Sequence, residues 1–192
     1  MRHRQVAIAL TGALLLLVGC TSASPEPDAA EPTATSSDVF DPCPEQPDEP
    51  SAAGSAVPAV TFDCLGGGTL DLTRAPGVPT VVNLWASWCG PCRTELPLMQ
   101  QLADAAGDKV RVIGVISRDG EPQAESFAED AGTSFPAAFD GDGELMADLG
   151  LNGLPYTMFL AADGTLVHSE LGQVDSEDEL RGLVEDHLGV TL

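Results

Sequence analysis

The sequence predicts an α/β domain with a mixed central sheet, flanking helices and a β-hairpin extension at its N-terminal side. Two observations favour this class. Strand-like and helix-like segments alternate from about residue 57, and the alternation ends in a hairpin followed by a helix. Such a pattern combines parallel and antiparallel strands in one sheet, and we expect the domain to occupy residues 58–192.

The domain is expected to begin with an antiparallel hairpin. Strand-like residues 60–62 and 69–72 flank three glycines at 66–68, which permit a tight turn. A run of apolar residues over 78–86 then predicts a buried strand that leads directly into the most informative motif of the chain.

Helices and strands alternate after this strand. A helix is expected from Pro91 to about residue 106, because proline is tolerated in the first helical turn, and Pro97 is expected to kink it. The remaining predicted segments are a strand at 109–117, helices at 121–131 and 145–149, a strand at 155–160, its hairpin partner at 165–168, and a helix to residue 188 that is capped by Ser176.

Residues 1–19 have the pattern of an export signal. Basic residues precede an apolar stretch at 6–18 that is too short to span a bilayer comfortably. The stretch ends in Leu-Val-Gly-Cys20, which resembles the lipobox of bacterial lipoproteins. That resemblance implies lipidation of Cys20 and localisation at the cell membrane, on its extracytoplasmic face. An ordinary secretory signal cleaved near Ala23 and an uncleaved anchor are the alternatives.

Residues 20–57 are expected to form a disordered tether, because they are rich in proline, alanine and acidic residues and contain few large apolar side chains. The whole chain has a formal net charge of −22. This charge repels phosphate backbones, so nucleic acid is excluded as a partner, and it keeps the chain from an anionic membrane unless an anchor holds it there. We expect the protein to be a monomer.

Five cysteines are present, and an odd number in an exported chain needs an explanation. If Cys20 carries the lipid, four remain. Cys89 and Cys92 pair as a motif, which leaves Cys43 and Cys64 for a structural disulfide that can persist outside the cytosol. Free thiols at the latter two positions and a second redox-active pair stay open, because spacing does not determine connectivity.

The Cys-Gly-Pro-Cys motif at 89–92 lies between the predicted strand and the predicted helix. Unpaired N–H groups and the helix dipole stabilise a thiolate at that position. We therefore expect Cys89 to be the exposed nucleophile and Cys92 to resolve the mixed disulfide. A structural disulfide or half of a zinc site are the alternatives. Zinc would need a second Cys/His pair, and His168 and His187 stand alone in the sequence, so no metal is expected.

Residues 81–97, VVNLWASWCGPCRTELP, resemble the active-site segment of thioredoxin-fold proteins, and most of all the exported TlpA/ResA-like thiol–disulfide oxidoreductases. The resemblance extends from about residue 57 to the C-terminus. It implies a thioredoxin fold and an enzyme that exchanges disulfides with protein thiols and disulfides. No cofactor is implied, because the cysteines themselves carry the electrons, and a membrane protein is implied as electron donor or acceptor.

The resemblance also assigns residues around the motif. Residues 153–157 resemble the family segment in which a cis proline faces the disulfide, so the resemblance implies that Pro155 is cis and catalytic; a trans proline that starts a strand is the alternative. The backbone of Leu154 would pair with the substrate. The implied substrate-binding residues are Trp88, Gly90, Pro91, Leu154 and Tyr156. Trp85 fits either this apolar surface or the core.

Asn83 and Glu95 distinguish the chain from cytosolic thioredoxin, which has a buried aspartate at the position of Asn83. Glu95 follows Cys92 by three residues and matches an acidic residue of the ResA-like branch. The resemblance implies a catalytic role, in which a partly buried carboxyl with a raised pKa shuttles the proton of the resolving thiol. The alternative is a solvated glutamate that only interacts favourably with the helix dipole.

The direction of electron flow is open. The Gly-Pro pair between the cysteines is typical of reducing thioredoxins, which favours a reductant, with cytochrome c maturation as one process that the resemblance implies. An oxidant of exported proteins and a non-catalytic binding module are the alternatives. A peroxiredoxin is disfavoured, because Ala86 stands where that family needs Thr or Ser before Cys89, and the short cysteine spacing disfavours a copper-delivery protein.

Overall fold

A five-stranded mixed β-sheet organises the chain in a computed structural model that describes residues 37–52 and 56–192. Its strand order is β5-β4-β3-β6-β7, and a separate two-stranded sheet joins β1 and β2. The elements are β1 (Thr61–Asp63), β2 (Thr69–Asp71), β3 (Thr80–Trp85), α1 (Cys92–Ala106), β4 (Arg111–Ser117), α2 (Glu121–Ala131), β5 (Ala137–Asp140), α3 (Glu144–Asp148), β6 (Tyr156–Leu160), β7 (Leu166–Leu171) and α4 (Glu177–Leu188).

The central strand β3 is buried along its whole length because both faces of the sheet are covered. It pairs in parallel with β4 and antiparallel with β6. Val81 and Trp85 belong to a core shared with α1, α2 and α4, whereas Val82 and Leu84 belong to a second core shared with the β1–β2 hairpin and α3. Trp85 is therefore a core residue, and its indole packs against Gly114, where a Cβ would lie 2.6 Å from Nε1.

Most elements lie where the sequence predicts them. Pro97 lies inside α1, and the side chain of Ser176 accepts a hydrogen bond from the Glu179 amide at the start of α4, as the predicted cap requires. Strand β5 was not predicted, because two alanines and a length of four residues give a weak strand signal. Parallel pairing with β4 supplies the stabilisation that the local sequence lacks.

Residues 37–52, which the sequence assigns to the tether, form a strap packed along the domain. Phe40 is 5% exposed, and its ring centroid lies 6.3 Å from that of Trp85. Gln46 exchanges two hydrogen bonds with the backbone of Asp71, and the disulfide between Cys43 and Cys64 fixes the strap to the end of β1. The predicted tether boundary at residue 57 is therefore too late, because a few anchoring side chains and backbone hydrogen bonds order a segment whose average composition is polar.

The predicted signal peptide at 1–19, Cys20 and the first part of the predicted tether lie outside the described residues. Within residues 37–52 and 56–192, no helix has the length and apolar character needed to cross a bilayer.

His168 and His187, which stand alone in the sequence, meet in the fold. Their rings stack with centroids 3.7 Å apart and planes 3° from parallel, and Phe159 contacts both. They connect β7 to α4, and His168 Nε2 also contacts Glu170 Oε1. Three or more potential metal ligands do not cluster anywhere in the described ranges.

Candidate active site

The redox pair lies where β3 ends and α1 begins. Cys89 and Cys92 form a disulfide with an S–S distance of 2.04 Å. Cys89 is 3% exposed and Cys92 is fully buried, so the expected order of exposure holds. Cys89, the predicted nucleophile, is nonetheless less exposed than expected, because it is part of the core between the sheet and α1.

The start of α1 provides a donor to the sulfur of Cys89. The Cys92 backbone N–H, first in the helix, donates to Cys89 Sγ at 3.2 Å. Such an N–H group has no partner within its own helix, and the positive end of the helix dipole adds to its effect. When the disulfide is reduced, the same geometry favours a thiolate at Cys89.

Glu95 lies one turn further along α1 and is fully buried. Its Oε2 accepts a hydrogen bond from Asn83 Nδ2 at 2.8 Å, and its Oε1 accepts one from the Val174 amide at 2.9 Å. Burial raises the pKa of Glu95 above its ordinary value of 4.5, because desolvation outweighs the opposing effect of the two hydrogen bonds. The solvated alternative for this carboxyl is therefore wrong.

Asn83 connects Glu95 to the strand that follows Pro155. It faces Thr157 directly across β3 and β6, and its Nδ2 donates to Thr157 Oγ1 at 2.9 Å. Both amide hydrogens are thus used, whereas Asn83 Oδ1 is buried without a hydrogen-bond partner. Rotating the amide by half a turn would place Oδ1 where it could accept from a protonated Glu95 and from the Thr157 hydroxyl. The network can therefore accommodate both protonation states of the carboxyl.

The segment before β6 lies beside the end of β3. The Leu154–Pro155 peptide bond is cis, as the resemblance implies. Tyr156 pairs with Leu84 in the sheet register, which places Pro155 next to the residues that lead into the motif. The Pro155 carbonyl accepts a hydrogen bond from the Gly172 amide at 3.0 Å. Leu154 and Tyr156 are partly exposed here.

Sequence reasoning missed a set of residues that hold the turn before Cys89. The Asp119 carboxylate accepts hydrogen bonds from the backbone amide and the hydroxyl of Ser87. The carbonyl of Arg118 accepts the indole N–H of Trp88 at 2.8 Å. Both residues follow β4, and parallel pairing brings the ends of β3 and β4 to the same edge of the sheet. The sequence signal that could have indicated this contact is Asp119 itself, an acidic residue just beyond β4.

The other predicted cysteine pair is also bonded. Cys43 and Cys64 form a disulfide with Cα atoms 6.0 Å apart, and both are buried. This bridge joins the strap to the β1–β2 hairpin rather than to the turn that carries Cys89. A structural role is consistent with that place, and free thiols at these positions are excluded in this structure.

Comparisons with known proteins agree with this architecture. The Redoxin family model matches residues 52–185. Escherichia coli K12 DsbE, a thiol:disulfide interchange protein, is 34% identical over 115 residues, which cover 58% of this chain and 60% of that protein. The match thus spans less than two thirds of that relative. The thioredoxin-like protein YneN of Bacillus subtilis is 30% identical over 128 residues, covering 65% of this chain and 75% of YneN.

A solved structure provides the comparison of fold. A secreted Mycobacterium tuberculosis disulfide oxidoreductase homologous to E. coli DsbE superposes with a TM-score of 0.59 and 29% identity, covering 67% of this chain and 96% of the other. The predicted fold is confirmed, with its mixed sheet, flanking helices and N-terminal hairpin. The chain therefore belongs to the Redoxin family, within the thioredoxin superfamily.

Proposed function

We propose that the protein is a thiol–disulfide oxidoreductase that exchanges disulfides with protein substrates. The observation that carries the proposal is the placement of Cys89 at the start of α1, where the Cys92 N–H points at its sulfur, with the buried Glu95 one turn behind. A purely structural disulfide needs neither a donor on one sulfur nor a desolvated carboxyl beside the pair.

The exchange proceeds in two displacements. The Cys89 thiolate attacks one sulfur of the partner disulfide, the partner's S–S bond breaks, and its second sulfur leaves as a thiolate. The product is a mixed disulfide between Cys89 and the partner. The Cys92 thiolate then attacks Cys89 Sγ, which forms the internal disulfide and releases the partner's other sulfur. Two electrons pass to the partner, and the two protons of the thiols end on its dithiol.

Glu95 acts in the second displacement. Cys92 is fully buried, and a buried thiol loses its proton reluctantly because its thiolate is poorly solvated. A carboxylate with a raised pKa on the same helix is a stronger base than an ordinary glutamate and can accept that proton. Asn83, which is itself bonded to Thr157, and the Val174 amide hold the carboxyl in place.

For the direction of electron flow we favour a reductant, on the basis of the Gly90-Pro91 pair. Proteins with this chemistry span reduction potentials from about −270 mV for thioredoxin to about −120 mV for a strong oxidant. Substrates would be protein disulfides outside the cytosol, with cytochrome c maturation as one process that uses such a reductant. The pair would be reduced again by a membrane protein that supplies two electrons.

The location in the cell is a further part of the proposal. The apolar segment that ends in Leu-Val-Gly-Cys20 supports a lipid anchor on the extracytoplasmic face, and the bonded Cys43 and Cys64 fit an oxidising compartment. Globomycin treatment of expressing cells tests the anchor. Accumulation of a precursor that retains residues 1–19 is expected, and cleavage that is insensitive to the drug would refute lipidation at Cys20.

Reduction of insulin by the full chain tests the activity, with Cys89→Ser as the control. We expect turnover with dithiothreitol as the electron source, and its loss in the variant. Equal precipitation of insulin by both proteins would favour the non-catalytic binding module. Equilibration with glutathione buffers then gives the potential, and a value near about −120 mV would overturn the reductant assignment.

A further inference from the structure

We infer that a second docking surface, which shares Trp88 with the substrate-binding residues implied by resemblance, lies on the side of Cys89 that faces α2. It receives an extended segment of the protein substrate that has an apolar residue and a carboxylate beside its reactive cysteine. The surface is a groove of about 370 Å³ whose lining includes Ser87, Trp88, Arg93, Gln123, Phe127 and Asp130. This inference rests on the proposed function, because it concerns the substrate of that reaction.

Trp88 is an anchor that is oriented in advance. It is 55% exposed and is one of three exposed large apolar side chains in the described part of the chain. Its N–H is already bonded to the Arg118 carbonyl, so the ring can pack against an apolar group without leaving a polar atom unpaired. Tryptophan and arginine dominate the energetic centres of protein interfaces, and a side chain that is fixed before binding loses little entropy.

The backbone at Arg118 points to the same surface. Arg118 has φ of 55°, the left-handed region, and within residues 37–52 and 56–192 every other residue with positive φ is a glycine. A non-glycine residue in this region is strained, and such strain persists where the surroundings impose it. Here the strained residue is the one whose carbonyl orients the indole of Trp88.

Arg93 supplies a positive charge that has no carboxylate of this chain within ion-pair distance. Its guanidinium lies 4.5 Å from the centroid of the Phe127 ring and donates to the Ser87 carbonyl at 3.3 Å. Among the described residues Arg74 and Arg181 each pair with a carboxylate, whereas Arg93, like Lys109, Arg111 and Arg118, forms an ion pair with none of them. The whole chain has 30 acidic residues against 8 Lys and Arg, so Arg93 is one of few positive charges that could attract a carboxylate of the substrate.

Charge complementarity determines the occupant. A guanidinium binds a carboxylate by donating two parallel hydrogen bonds to its oxygens. Asp130 also lines the groove, which disfavours a run of acidic residues and favours a single carboxylate. Because the groove includes the turn that carries Cys89, the segment that fits it lies within a few residues of the attacked cysteine.

Peptides test the inference through a ratio of rates. Each carries one cysteine in mixed disulfide with 2-mercaptoethanol, a leucine beside it, and aspartate, lysine or serine at one of four flanking positions. The reduced full chain is mixed with each peptide at low ionic strength. We expect the aspartate peptide to react about tenfold faster than the lysine peptide at one or more positions, and added salt to reduce the ratio.

Charge reversal locates the effect. Arg93→Glu should invert the preference and Arg93→Gln should abolish it, whereas Lys109→Glu makes the same charge change before β4, at the end of the sheet opposite Cys89, and should leave the ratio unchanged. Any change in Cys89 reactivity cancels in the ratio, because every peptide meets the same thiolate. Trp88→Ala should slow the peptides that carry the leucine more than matched peptides in which a second serine replaces that leucine.

The outcomes separate the two proposals. Equal ratios in Arg93→Glu and Lys109→Glu, or no preference in the unmodified chain, would overturn the docking surface while reaction with the serine peptide continues. Failure to exchange with any peptide, the serine peptide included, would instead overturn the proposed function. Circular dichroism confirms that each variant is folded before its rates are compared.

Discussion

Glutamine at position 95 is the most direct perturbation of the site, because it removes the charge and keeps the shape. Two donors hold the carboxylate, the Val174 amide at 2.9 Å and Asn83 Nδ2 at 2.8 Å. Glutamine offers one oxygen, so one buried donor loses its acceptor, at a cost of about 1–3 kcal/mol. Rotation of the Asn83 amide can recover part of this cost, since its Oδ1 has no partner in the structure.

The stability difference should depend on pH in a defined direction. Because the pKa of Glu95 is raised in the folded state, the folded protein binds that proton more tightly than the unfolded chain does. The resulting stabilisation is fully present below the unfolded pKa, near the ordinary value of 4.5, and is lost as pH rises through the folded pKa. Glu95→Gln does not bind this proton. Its free energy of unfolding should therefore fall furthest below that of the wild type near pH 4, and the difference should shrink as the pH rises.

Urea unfolding of both proteins at several pH values between about 4 and 8 measures this difference. The oxidised form should be used throughout, so that the thiols do not titrate. Glu129→Gln is the matched control, because Glu129 is exposed on α2. A free-energy difference for Glu95→Gln that stays constant with pH, as for the control, would refute the reasoning about burial.

The same variant tests the proton transfer. General acid–base catalysis contributes about 10²–10⁴-fold to a rate, so resolution of a Cys89 mixed disulfide near pH 7 should slow by at least about 100-fold. Stopped-flow fluorescence follows this step, since Trp88 adjoins Cys89 in the chain. The rate of attack by Cys89 should fall less than the rate of resolution by Cys92. An unchanged pH profile of resolution would exclude Glu95 from the step.

Three further predictions concern stability. Replacing both Cys43 and Cys64 by serine should lower the free energy of unfolding by about 3 kcal/mol, as expected for a loop with a sequence separation of 21. Urea unfolding under non-reducing conditions measures this loss, and a much smaller value would show that the strap contributes little to stability. Ser176→Ala should lower the free energy of unfolding by about 1 kcal/mol, because it removes the cap of α4. Calorimetry measures this loss, with a Ser→Ala change at an exposed position elsewhere as the control. Asp119→Ala leaves the Ser87 amide unpaired and should cost about 1–3 kcal/mol. Amide exchange at Ser87 as slow as in the wild type would contradict it.

The sequence could predict much of the fold because the signals are local. The apolar run before the Cys-Gly-Pro-Cys motif, the proline in the first helical turn and the serine before α4 each act within a few residues. Strand β5 and the strap are different. Ala137–Asp140 becomes a strand only because β4 lies beside it, and residues 37–52 are ordered by contacts with residues such as Asp71 and Trp85 far along the chain.

By itself, the sequence determined where the redox cysteines lie and which chemistry they can perform, because a motif on a strand–helix junction is a local pattern. Only the tertiary structure decided which groups surround them. Three features depend on packing between separate elements: the desolvation of Glu95, its hydrogen bond with Asn83, and the hydrogen bonds of Asp119 to the turn before Cys89. The sequence has no periodic pattern that indicates such burial or long-range hydrogen bonds, so these features emerge only when the chain is folded.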